Sequence, residues 1–406
     1  MIETLRRIAF VLLCLMPLLL ATTRAGADIA ASLIAALFLW RSALQKEWRW
    51  TAEAEMRVLT ALWLSLLVTS CLSPFNRIEA FGTSILWARF VLLYAAARYW
   101  LLANRRRLEI AGKIAAITLL PVAFDAGWQY VTGTSLSGHP MFTGTRLTGP
   151  LSKANVGGYL LRIGLPVAGL VTYLLIEAGR ARRLWAATAA TVAVMTIIVL
   201  SGERSSALLM LLGVGIIGFT LFVSHPKLRL WVLIGGAGVA ALVAALVATQ
   251  PLVQMRMQYL VQQLDDFWHT PYGQMYLAAF DLGMRHPLTG TGAHQFFAAC
   301  NSIMAERGIT YCDIHPHNIY MEWLAAGGVA GLLLFALAMA CLARQLARAA
   351  EYGGAAVALT AFAYGGYAAL TFPFIVTQSA FANWPGILFW YSMALVMSIH
   401  RMRDII

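Results

Sequence analysis

Long apolar runs leave this chain little choice of fold. Stretches long enough to cross a bilayer, about 20 residues each, fall at 8–23, 28–45, 56–73, 80–102 and 108–130. More follow at 155–177, 184–201, 205–223, 230–249, 318–343, 354–372 and 379–399. In hydrocarbon each backbone N–H and C=O must bond within the protein, so runs of this length predict helices. The expected fold is an all-α polytopic membrane protein of about twelve transmembrane helices. Charge is correspondingly scarce, 12% of residues against roughly 25% in a soluble domain. Arg6 and Arg7, the run from Ile8 to Leu20 and then Ala25-Gly26-Ala27 resemble a cleavable leader. The apolar run directly behind favours a retained first helix.

The net charge of +12 raises the question of nucleic acid, but the cations are scattered between apolar runs. No basic patch carries the interleaved aromatics that bases stack on, so no nucleic-acid partner is expected. The cations instead alternate between gaps. One set holds Arg6 and Arg7, then Arg41, Lys46 and Arg49, then Arg105, Arg106 and Arg107, then Arg180, Arg182 and Arg183. It continues with Lys227 and Arg229, Arg344 and Arg348, and Arg401 and Arg403. The other set is sparse: Arg24, Arg77, Arg146 with Lys153, and Arg204. Cation-rich gaps mark the cytoplasmic side, so both termini are expected there.

Two gaps on the sparse side are long, at 131–154 and 250–317. The chain therefore divides into helices over 1–249, a loop domain over 250–317, and three more helices over 318–406. Val253, Met257, Leu260, Val261, Leu264 and Phe267 recur at helical spacing, and a second helical run covers Tyr272–Met284. Amphipathic helices there predict a lid lying in the membrane interface. Cys300 and Cys312 share the loop, and an oxidising compartment permits a bridge between them.

One polar cluster at a helix mouth needs a reason: Cys312-Asp313-Ile314-His315-Pro316-His317-Asn318. Arg146, Arg204 and Arg285 sit in turns on the same side, with Arg256 also in the loop and Asn155 at a helix start. A lone arginine there reads as a snorkelling cation. Several on one face suit an anion, because a guanidinium fork matches phosphate oxygens. Histidine, with an ordinary pKa near 6.5, suits proton abstraction as a bond forms. Two other readings stay open at this point: Asp313, His315 and His317 as metal ligands, or histidines that merely cap a helix.

His317-Asn318, nine residues, then Gly328-Val329-Ala330-Gly331 resembles a signature of the O-antigen ligase and polymerase superfamily (Wzy_C-like). Arg146-x-Thr-Gly-Pro with Asn155, Leu200-Ser201-x-x-Arg204, and His286-Pro287-Leu288-x-Gly290-x-Gly292 are also similar to its recurrent segments. Within it the chain looks most like the O-antigen ligases (WaaL-type). The resemblance implies a GT-C-type glycosyltransferase in the inner membrane of a Gram-negative bacterium, with its active site on the periplasmic face. It implies transfer of O-antigen from undecaprenyl pyrophosphate to a sugar hydroxyl of lipid A–core, inverting and metal-independent, with no cofactor.

On that resemblance His317 is the base, with Arg204 and Arg285 on the pyrophosphate. Arg146 and Asn155 bind substrate, Asn318 orients or caps, and His315 lies behind His317. Tyr272-Gly273-Gln274-Met275-Tyr276 stands where relatives often carry an arginine and a tryptophan. Lys153 stands where Asn or Pro is commoner. Arg256 is therefore the reserve partner for Arg204. The rival functions are O-antigen polymerase, protein O-oligosaccharyltransferase and, outside catalysis, a transporter of lipid-linked sugars. Transporters concentrate ionisable groups near mid-membrane and often repeat their halves. Here the notable charges gather at one boundary.

Overall fold

The apolar runs fold as helices in the computed structural model, which describes residues 1–153, 155–347 and 356–402. In order come α1 (Ile2–Thr22), α2 (Arg24–Gln45), α3 (Ala54–Cys71), α4 (Arg77–Ala96), α5 (Arg105–Thr132), α6 (Val156–Glu177), α7 (Ala181–Leu200), α8 (Arg204–Ser224) and α9 (Arg229–Thr249). Three shorter helices follow, α10 (Pro251–Asp265), α11 (Pro271–Arg285) and α12 (Phe296–Arg307). The chain then runs through α13 (Ile319–Ala347), α14 (Ala356–Thr371) and α15 (Asn383–Met402). Among the described residues there is no strand, only isolated bridges Thr134–Pro140 and Phe142–Arg146. Arg348, Arg403 and positions 354 and 355 of an expected span lie outside the described residues.

Ten helices among the described residues, α1 to α9 and α13, are long and apolar enough to cross a membrane, two fewer than the sequence suggests. The difference lies in α14 and α15. The first is only 16 residues. The second carries Asn383, Tyr391, Ser392, Ser398 and His400, groups it can hold because protein surrounds it. Ile387, Leu388, Met393, Ala394 and Val396 are all fully buried. In contrast α9 buries no side chain at all. The polar helix takes the centre, and the most apolar one faces outward.

The loop end of the bundle is stitched together by side-chain and backbone hydrogen bonds. Glu322, on the first turn of α13, accepts from Ser379 Oγ and from the Ala380 N–H, each at 2.5 Å. Thr377 N–H donates to His317 O at 2.7 Å, and Thr377 Oγ1 accepts from Ile319 N–H at 2.7 Å. The segment between α14 and α15 is thereby fixed against the mouth of α13.

The continuous helix expected over 318–343 is broken. Gly328 sits at φ 65, ψ −163, outside helical space and on the side that side chains avoid. The segment 286–292 lies in the break. Thr291 and Gly292 N–H groups bond to Ala325 and Ala326 carbonyls at 2.8 and 2.9 Å, and Val329 N–H reaches Pro287 O at 2.7 Å. Groups freed by the break thus find partners, as backbone buried in a membrane protein must. A Cβ on Gly328 would lie 2.4 Å from Pro287 O. The glycine therefore admits this loop rather than serving close packing between helices.

Helices α11 and α12 bury Met275, Ala278, Leu282, Phe296, Cys300 and Ile303 against Ala325 of α13. Cys300 and Cys312 form a disulfide, Cα to Cα 5.9 Å, that ties α12 to the irregular segment leading into α13. This part is anchored, not a loose cover. Both expected amphipathic helices form: α10 exposes Met255, Tyr259, Val261 and Leu264, and α11 exposes Leu277, Phe280 and Met284 while burying its other face.

Candidate functional site

A cavity of about 400 Å³ opens at the loop end. Its walls come from distant parts of the chain: Arg24 at the start of α2, Arg146, Lys153 and Asn155 before α6, Arg162 within α6, Arg204 on α8, Arg256 on α10 and Tyr272 on α11. His315 and His317 close another side, facing Gln378, Ser379 and Trp384.

The histidine turn is built from its own side chains. His317 holds φ 55, an unusual backbone state for a residue with a side chain and one that often marks function. His315 Nδ1 accepts the His317 backbone N–H at 3.1 Å and so pins that state. His317 Nε2 lies 3.1 Å from Asp313 Oδ2. An ionised carboxylate only accepts, so Nε2 carries the proton and Nδ1 keeps a free lone pair. Burial works against the Asp313 charge, but the Ile314 N–H and His317 hold its carboxyl below the usual range. Burial, reinforced by the neighbouring His317, pushes His315 down to about 3 and keeps it neutral. The Tyr272 ring meets the His317 ring edge-on at 5.4 Å.

Opposite this turn stand the cations. Arg204 lies under the Tyr259 ring at 5.3 Å, and its Nη1 is buried with no hydrogen-bond partner among the described residues. A buried donor left unmet costs about 1–3 kcal/mol, more when charged, while Arg204 itself lines the cavity. Arg256 Nε donates to Gly202 O at 3.2 Å. Burial, then the charges of Arg204 and Arg146, pull Arg256 below the ordinary guanidinium range. The group nonetheless remains charged.

Glu203 is the counterweight. Its carboxylate accepts from the Gly157 and Gly158 N–H groups at 2.8 and 3.0 Å and from Ser206 Oγ at 2.9 Å. It thus caps the first turn of α6 and joins that turn to α8. A Cβ on Gly157 would lie 2.5 Å from Ser201 Oγ, so the glycine is needed for this approach.

Several residues expected from the sequence meet here: His317, His315, Arg204, Arg146, Arg256 and Asn155 all line the cavity. Arg285 does not. It pairs with Asp281 at 2.7 Å and Glu306 at 2.6 Å on the exposed side of α11. Two carboxylates within reach hold it there. Asn318 is also absent from the cavity wall. Its Nδ2 donates to Pro373 O at 2.7 Å, and its Oδ1 caps α13 by accepting from Tyr320 and Met321 N–H groups. It secures the turn that carries His317.

Sequence reasoning passed over Arg24, Arg162, the partner role of Asp313, and Tyr272 as a wall residue. Asp313, four residues before His317, was the one with a signal. Asp313, His315 and His317 bond to one another and do not converge as ligands. Among the described residues no three His, Cys, Asp or Glu side chains are grouped to hold a metal.

Fold and site together define a polytopic membrane protein whose loop-end cavity joins a carboxylate-held histidine to a group of arginines. Residues 189–336 match the family model described as O-antigen ligase, and the matched segment carries Arg204, Arg256, Asp313 and His317. Glycosyl transfer on O-antigen is what that family implies. No curated protein matches the chain.

Proposed function

We propose that the protein transfers O-antigen polysaccharide from undecaprenyl pyrophosphate to a sugar hydroxyl of lipid A–core, at the periplasmic face of the inner membrane. The observation that carries this reading is the His317–Asp313 pair facing Arg146, Arg204 and Arg256 across one cavity. The acceptor hydroxyl oxygen attacks the anomeric carbon on the face opposite the leaving group. Its proton passes to His317 Nδ1 as the new C–O bond forms, a contribution of roughly 10²–10⁴-fold. The bond between the anomeric carbon and the phosphate oxygen breaks, and its electron pair leaves with the pyrophosphate. The arginines neutralise that growing charge in a site already shaped for it. A one-step displacement of this kind inverts the anomeric centre.

Purified protein incubated with lipid-linked O-antigen and rough lipopolysaccharide, with and without chelator, provides the test. Product is expected under both conditions. His317→Ala should reduce it by about 10²-fold or more. Activity of folded His317→Ala near the wild-type rate would refute the base assignment. Longer lipid-linked chains in place of capped lipopolysaccharide would identify a polymerase.

A further inference from the structure

Gln378 lies in the irregular segment between α14 and α15. Alternate positions of that segment are committed to the turn that carries His317. Pro373 and Ile375 carbonyls accept from Asn318 Nδ2 at 2.7 and 3.3 Å. Thr377 N–H donates to His317 O, Thr377 Oγ1 accepts from Ile319 N–H, and Ser379 Oγ donates to Glu322. Gln378, between the last two, makes none of these bonds. It is half-buried and lines the cavity with His315 and His317.

Arg162 decides which way the Gln378 amide points. This guanidinium is buried on α6 and lines both the cavity and a small interior space beside Trp87 and Trp323. Its charged neighbour is Glu203, whose carboxylate is already engaged by Gly157, Gly158 and Ser206. The one hydrogen bond Arg162 makes among the described residues runs from Nη1 to Gln378 Oε1 at 3.2 Å. A guanidinium only donates, so the amide oxygen has to face it. Both Nε2 hydrogens are thereby turned away from Arg162, and no described residue accepts from them.

We propose that Gln378 donates from Nε2 to a hydroxyl oxygen of the acceptor sugar, with Arg162 as the residue that positions it. A neutral N–H suits an uncharged hydroxyl, whereas phosphate oxygens are better matched by the guanidinium groups elsewhere in the cavity. The location agrees. One residue away, the Thr377 N–H holds His317 O at 2.7 Å, so the amide stands beside the group that takes the acceptor proton. A site that bonds a substrate hydroxyl rejects analogues lacking it far better than an apolar pocket can. Gln378 is therefore a specificity-determining residue for the acceptor. The inference rests on the ligase reading above and adds the side chain that reads the second substrate.

Steady-state ligation by the purified full chain in nanodiscs tests it, with lipid-linked O-antigen and rough lipopolysaccharide varied separately. Gln378→Glu keeps an oxygen against Arg162 but loses both donors. Gln378→Met loses donors and acceptor alike at similar length. Each should raise the acceptor KM by about threefold to tenfold, the span of a neutral hydrogen bond, and leave the pH dependence of kcat unchanged. Arg162→Met should raise the acceptor KM as well, and should add little to Gln378→Met, because the two act through one contact. An unchanged acceptor KM in folded Gln378→Glu overturns the proposal, since a residue that merely satisfied Arg162 would tolerate that change. A fall in kcat at constant acceptor KM, or a rise in donor KM alone, overturns it too. Should Gln378→Met or Arg162→Met not fold, Gln378→Glu decides by itself. Absence of capped lipopolysaccharide with wild type refutes the ligase reading, which the other outcomes leave standing.

Discussion

Asp313 decides which nitrogen of His317 works. With Nε2 held at 3.1 Å by the carboxylate, Nδ1 is left as the acceptor, and the imidazolium formed during reaction is stabilised by a fixed negative charge. Asp313→Asn removes that charge and permits the amide N–H to face Nε2, favouring the wrong tautomer. Turnover should fall by about 10²-fold with little change in donor KM, a split that steady-state assays resolve. The arginines divide more sharply. Arg204→Lys keeps a point charge but loses the fork, and should cost about tenfold or more in kcat/KM. Arg285→Ala should leave activity near wild type, because Asp281 and Glu306 already hold it on the surface. A large loss in Arg285→Ala would return that residue to the site.

Among the elements, the turn from Asp313 to Asn318 and the break in α13 depend on conformations that ordinary residues avoid. His315 supports the first. An unfolded histidine takes up a proton near 6.5, whereas burial delays this one to about 3 in the folded chain. Between those values the unfolded state binds more protons, so stability rises with pH. The contribution is complete above about pH 6.5 and fades as pH falls toward 3. Melting temperatures in detergent at pH 7.5, 6 and 5 should decline in that order. The decline should be shallower in His315→Gln, which retains an acceptor for the His317 N–H. Gly328 supports the second element. Gly328→Ala combines a positive φ with a Cβ 2.4 Å from Pro287 O, and should destabilise by about 2 kcal/mol or more. Gly327→Ala, with open space around it, is the control.

Across the whole molecule, the sequence revealed what hydrocarbon dictates and concealed what tertiary contacts decide. Apolar runs give the helices of the bundle directly, because length and hydropathy leave no other backbone solution. They miscount α14 and α15, whose placement depends on burial by neighbours rather than contact with lipid. Motifs announced His317, Arg204 and Arg146. They could not show that Arg285 is occupied by acids 4 and 21 residues away, or that Arg162, inside an apolar run, faces a cavity. Sidedness is the property of the whole that charge counting predicts and packing alone does not give. With Cys14, Cys71 and Cys341 replaced by serine or alanine, Ala305→Cys on α12 at the loop end and Lys227→Cys at the other end are both exposed positions. The cation-rich gaps put Lys227 in the cytoplasm. An impermeant maleimide applied to intact spheroplasts should therefore label Ala305→Cys and reach Lys227→Cys only after lysis. The reverse pattern would put the arginine cavity on the cytoplasmic face and remove the periplasmic acceptor from consideration.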